Sequence, residues 1–136
     1  MLYSDLAAGM TAEFSKSVSD ADVHAFAAIT GDHNPVHLDD AAAERTRFKG
    51  RIAHGMLSAG IISAAIAGKL PGPGSVYLSQ TLRFTAPVRI GDTVTATITV
   101  TELLSKNRVK LATTCRNQAG EIVLDGEAVI LVEPQT

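Results

Sequence analysis

The chain has 136 residues, 46% of them hydrophobic and 19% charged, which fits one globular domain with one core. A formal net charge of −2 gives no electrostatic case for nucleic acid or an anionic membrane as the main partner. The single Cys115 rules out an intrachain disulfide and suits a reducing compartment, and no basic n-region precedes an apolar stretch near Met1, so the chain reads as cytoplasmic.

In chain order, residues 11–18 alternate weakly and predict a short strand. Ser19 then reads as an N-cap, with Asp20 and Asp22 in the first turn where the helix dipole favours anions. Val23, Phe26, Ala27 and Thr30 share one face of the helix beyond this cap, so it packs on the core and delivers Gly31-Asp32 at its end. The next residues, Asp32-His33-Asn34-Pro35-Val36-His37, have the composition of a tightly specified turn. They carry one carboxylate and one imidazole, Asp32 and His37, which meet if the chain folds back at Asn34-Pro35. An Asp and a His held this way can grip one water and move its protons, which points to water addition or hydrolysis. On the plain structural reading, Gly31 only ends a helix, Asp39 caps the next one and His37 is a loop histidine. A short helix is expected from Asp39 to about Glu44, then a basic loop with Arg45, Arg47, Lys49 and Arg51.

No Lys, Arg, Asp or Glu occurs between Arg51 and Lys69. The intervening stretch contains His54, Gly55, Gly60 and Gly68 and barely reaches the lower limit for a membrane span, so no membrane segment is expected. Its small and apolar residues surround a helix from Gly55 to Lys69, and a helix apolar all round belongs in the middle of a domain. Pro71-Gly72-Pro73-Gly74 stops it. Strands are then expected over 76–84, 93–104, 108–116 and 121–132, with turns at Gly91-Asp92 and Asn117–Gly120. One buried helix and a consecutive run of long antiparallel strands make a single α+β domain over 1–136, the sheet wrapping the helix.

The run Thr30-Gly31-Asp32-x-Asn34-Pro35-x-His37, with the small Ala43 six residues later, resembles the signature of MaoC-like (R)-specific enoyl-CoA hydratases. His54-Gly55-Met56 and Pro71-Gly72-x-Gly74-Ser75 are similar to the same family. The resemblance covers most of the chain and implies the hot-dog fold, hydration of a trans-2-enoyl-CoA to the (R)-3-hydroxyacyl-CoA, and a homodimer in which two sheets join. Such a dimer also covers a sheet edge that would otherwise invite pairing.

Hydration puts negative charge on the thioester oxygen, so donors aimed at that oxygen are required. The free N–H groups at the start of the central helix fit, and Gly55, lacking a side chain, allows close approach. Asp32 and His37 hold the water, one as base and one returning a proton to the α-carbon, with the assignment between them open. Asn34 holds the turn and is a candidate to orient His37. Ser63 is a candidate contact to the thioester or pantetheine, although a mid-helix Ser commonly bonds its own i−4 carbonyl. Ile62 and Ile66 are candidates to line and shorten the acyl tunnel, favouring short or medium chains. His54 reads as a helix-start residue bonding backbone, and the four histidines lack the spacings of a zinc site. No metal and no cofactor beyond the coenzyme A of the substrate is expected. The competing readings are a 3-hydroxyacyl-thioester dehydratase of fatty-acid synthesis, an acyl-CoA thioesterase of the same fold, and a non-catalytic acyl-binding module. The thioesterase is disfavoured because residues 55–68 contain no Asp or Glu.

Overall fold

The computed structural model describes residues 1–133. Helix α1 (Asp20–Thr30) starts with a reciprocal capping box: the Ser19 hydroxyl accepts from the Asp22 N–H, and the Asp22 carboxylate accepts from the Ser19 N–H. It stops at Gly31, whose φ of 82° is the left-handed conformation that glycine adopts without steric cost.

The segment after Gly31 departs from the expected chain reversal. Asn34 caps a one-turn helix, α2 (Pro35–Leu38), its side-chain oxygen accepting from the Val36 N–H at 3.3 Å. Pro35 takes the first helical position, where a missing N–H removes no helical hydrogen bond. A helical turn, rather than a hairpin of loop, therefore carries His37 inward, where only 8% of it is exposed. Helix α3 (Asp40–Glu44) has the predicted cap, the Asp39 carboxylate accepting from the Ala42 N–H.

Helix α4 (Gly55–Gly68) is the central helix, and Ile61, Ile62, Ala65 and Ile66 bury its inner side. Among the described residues no helix is long and apolar enough to cross a membrane. Strands β1 (Thr11–Ser17), β2 (Ser75–Phe84), β3 (Thr93–Leu103), β4 (Arg108–Arg116) and β5 (Ile122–Val132) form one antiparallel sheet in the order β1-β3-β4-β5-β2. Alternate residues of β3 (Val94, Ala96, Ile98, Val100) and of β4 (Val109, Leu111, Thr113, Cys115) are buried in the core that α4 completes. Burying one Leu or Ile side chain there contributes about 1.5–3 kcal/mol. The opposite face of β3 is threonine-rich, and Thr95 and Thr93 pair with the Ser15 and Ser17 hydroxyls of β1.

Strand β2 forms the far edge. A bulge between Tyr77 and Ser79 shifts its register, so that Tyr77, Gln80 and Leu82 face one cleft despite their unequal spacing. Its pairing with β5 requires Gly126, since a Cβ there would stand 1.9 Å from the Thr81 carbonyl oxygen.

Candidate active site

The end of α1, all of α2 and the start of α4 meet at one point. Asp32 lies just past the left-handed Gly31 and stays exposed, its carboxylate accepting from the Asn34 N–H at 3.2 Å. His37 is fixed from two directions. Its Nδ1–H donates to the Ile52 carbonyl at 2.7 Å, and Arg51 Nε donates to the His37 carbonyl at 2.8 Å. A carbonyl only accepts, so His37 Nδ1 carries a proton, and in the neutral imidazole Nε2 is the nitrogen with the lone pair. Ligating atoms of Asp32, His37 and His54 lie within 4.8 Å of one another. A water making two ordinary hydrogen bonds of about 2.8 Å spans such a gap.

This is the group of metal-capable side chains that the described residues bring together. Two of its ring nitrogens are committed to carbonyls, and the His37 and His54 rings are stacked with centroids 3.9 Å apart.

Helix α4 begins beside the pair. His54 is its N-cap but makes no capping hydrogen bond with its side chain, so the first N–H groups of the helix are left without a side-chain acceptor. Gly55 is the first helical residue, and a Cβ on it would approach the Phe84 ring to 2.7 Å. Glycine thus lets β2 close over the helix start and keeps the N–H approachable.

Two clefts flank Met56, which lines both. One, of about 400 Å³, is bordered by His37, Gly55, Ser58, Phe84 and the Arg47-Phe48 pair, in which the guanidinium lies 5.1 Å from the ring centroid. The other, of about 610 Å³, runs from Asp32 between α4 and β2, past Phe26, Ala59 and Gly60 to Tyr77, Gln80 and Leu82. At its far end Tyr77 Oη donates to Gln80 Oε1 at 2.5 Å, and Gln80 Nε2 donates to the buried Thr113 hydroxyl at 2.9 Å. Burial, then the neighbouring Cys115, pushes the Tyr77 hydroxyl up to about 12, and burial pushes the Cys115 thiol up to about 12, so both stay protonated at neutral pH.

The remaining predicted site residues are distributed unevenly. Asn34 holds the turn through backbone bonds, and the Ile52 carbonyl, not Asn34, orients the His37 ring. Ser63 is half-buried and lines neither cleft; Ser58, one turn after Gly55, faces the His37 cleft instead. Ile62 and Ile66 are 0% and 2% exposed and sit in the core cluster, so they line neither open cleft; Ala59 and Gly60 present the helix to the second one. Arg51 is a buttress rather than a free cation, its guanidinium donating to Asp20 at 2.5 Å. That bond holds the Asp20 carboxyl below its ordinary value. Sequence pattern alone misses Phe84, Tyr77 and Gln80, whose direction depends on the β2 bulge, and understates His54.

A family model for the MaoC-like domain matches residues 5–121. The chain is 50% identical over 131 residues to an (R)-specific enoyl-CoA hydratase of Rhodospirillum rubrum, covering 96% of this chain and 90% of that protein. It is 51% identical over 133 residues to a 3-hydroxybutyryl-CoA dehydratase of Methylorubrum extorquens, covering 97% of this chain and 84% of the relative. Among solved structures it is similar to the unliganded R-hydratase PhaJ1 of Pseudomonas aeruginosa, with TM-score 0.94, 54% identity and coverage of 98% and 86%.

Proposed function

The chain belongs to the MaoC-like domain family, and from that premise we propose that it catalyses reversible (R)-specific hydration of trans-2-enoyl-CoA to (R)-3-hydroxyacyl-CoA. The observation that carries the mechanism is the placing of Asp32 and His37 within one water's reach of each other at the uncapped start of α4. The water lies between the carboxylate and His37 Nε2. Its oxygen attacks the β-carbon, the pair takes one of its protons, and one proton goes from the pair to the α-carbon. The pair ends as it began, so no cofactor enters the balance. As the β-carbon is attacked, charge moves to the thioester oxygen, where the Gly55 N–H and the partial positive charge of the helix end stabilise it.

The apolar cleft between α4 and β2 receives the acyl chain, and the cleft with Arg47 receives the thioester and pantetheine arm. Ser58 takes the role that the sequence pattern suggests for Ser63, and Asn34 serves as the cap that presents His37. Ile62 and Ile66 act from the core, by supporting the helix face that carries Ala59 and Gly60. The unpaired edge of β2, with the exposed Val76 and Leu78, supports a two-fold homodimer. The single Cys115 fits the reducing cytoplasm as its location.

Crotonyl-CoA tests the reaction directly. Loss of the conjugated-enone absorbance, an (R)-configured 3-hydroxybutyryl product and no free thiol are expected. Release of free coenzyme A without loss of the double bond would instead identify a thioesterase, and unchanged substrate a binding module. Activity that survives dilution to a monomer would reject the dimer.

A further inference from the structure

His54 occupies the N-cap of α4, a position where Ser, Thr, Asp and Asn are favoured because their short side chains bond the first free N–H groups. Its side chain does not do this. The ring turns away from its own helix and its Nε2–H donates to the backbone carbonyl of Asp32 at 3.0 Å, a contact across 22 residues of chain. One side of the ring stacks on His37 at 3.9 Å, and it also meets Phe26 at 4.7 Å. The residue is 2% exposed, and its Nδ1 is buried with no hydrogen-bond partner. A buried unpartnered polar atom is destabilising, and a hydrophobic ring of similar size would avoid it. Stability therefore does not account for a histidine here, whereas its Nε2–H contact to the catalytic loop does.

We propose that His54 is a positioning residue that fixes both members of the proton-transfer pair: it tethers Asp32 through that residue's carbonyl and supports the His37 ring by stacking. Without the tether, Asp32 hangs on a loop whose remaining ties, to Thr30 and Asn34, lie within two residues of it. With it, the loop is joined to the residue that opens the helix supplying the oxyanion donors. The tether ties the loop that bears the carboxylate to the residue preceding Gly55, beside an imidazole that the Ile52 carbonyl already orients, and misplacement of such groups by about 1 Å costs on the order of a hundredfold in rate.

This inference rests on the Asp32–His37 reading, and two substitutions separate its parts. His54→Phe keeps an aromatic ring and removes the donor; His54→Gln keeps an N–H near the Nε2 position and removes the ring. The expected result for His54→Phe is a kcat lower by about tenfold to a hundredfold, with KM for crotonyl-CoA within about twofold and Tm within about 3 °C of wild type. His54→Gln should recover a large part of that kcat. Amide exchange over residues 31–38 should quicken in His54→Phe while β3 and β4 stay protected. Wild-type kcat in His54→Phe, equal impairment of the two variants, or loss of the fold in His54→Phe would overturn the proposal. An inactive Asp32→Asn measured in parallel would show that the pair itself still stands, whereas an active one would remove the premise instead.

Discussion

Gly55 is the first residue of α4, and its N–H is needed for no hydrogen bond within the helix. Proline is therefore tolerated there by the helix, and His54 before it has φ −61° and ψ 133°, the extended conformation that a residue preceding proline adopts. Gly55→Pro deletes the proposed oxyanion donor while leaving the helical bonds intact. It also introduces a Cβ 2.7 Å from the Phe84 ring, and Gly55→Ala introduces the same Cβ but keeps the N–H. The clash costs at most about 1–3 kcal/mol and is shared by both variants. Phe84 is 51% exposed, so its ring can swing outward and hold that cost near the lower end. Loss of one oxyanion donor costs about 10²–10³ in kcat, roughly 2.7–4 kcal/mol, and falls on the proline variant alone. Steady-state hydration of crotonyl-CoA, with circular dichroism to check the fold, should rank wild type above Gly55→Ala and place Gly55→Pro about a hundredfold or more below the alanine variant. Equal kcat in the two variants would refute the donor role of Gly55.

Gly126→Ala forces a Cβ against the Thr81 carbonyl oxygen, at 1.9 Å, and should destabilise the fold by about 3 kcal/mol, lowering Tm by about 10 °C; an unchanged Tm would contradict the register of β2 on β5. A Cβ at Gly60 meets nothing within 4 Å, so Gly60→Leu should raise Tm through helix propensity, yet fill the second cleft and lower kcat/KM for an eight-carbon enoyl-CoA more than for crotonyl-CoA. Equal effects on the two substrates would place the acyl chain elsewhere. The Asp22 carboxyl is lowered to about 2, first by the Lys16 ammonium at 2.7 Å and then by the Ser19 N–H. A carboxyl so depressed stabilises the folded state above its unfolded value near 4, and that stabilisation fades as pH falls from about 4 toward 2. The Tm gap between wild type and Asp22→Asn should accordingly be present at pH 6 and close near pH 2.

The features readable in the sequence are those written locally. Ser19 and Asp39 are caps by residue type, and the alternation of β3 and β4 fixes which side chains face the core. Asp32 and His37 stand out because acid, imidazole, Gly, Asn and Pro fall within one short run. The manner of their meeting is less legible. Asn34-Pro35 suits a turn and a helix start equally, and which one forms depends on the Ile52 carbonyl and Arg51, residues 14 or 15 positions away, that receive His37. The inward face of β2 is hidden for a similar reason, since one bulged residue reverses the alternation from which direction is read. Ile62 and Ile66 illustrate a third limit. On a helix apolar all round, periodicity does not separate the residues facing the sheet from those lining a cleft.

Turnover of crotonyl-CoA by Asp32→Asn, His37→Gln and the double variant bears most directly on whether these two side chains work as a pair on one water. Each folded single variant should lose about a hundredfold or more in kcat, and the double variant should be hardly slower than either. Near-normal turnover by one folded single variant, or losses that multiply in the double variant, would show that no such pair operates.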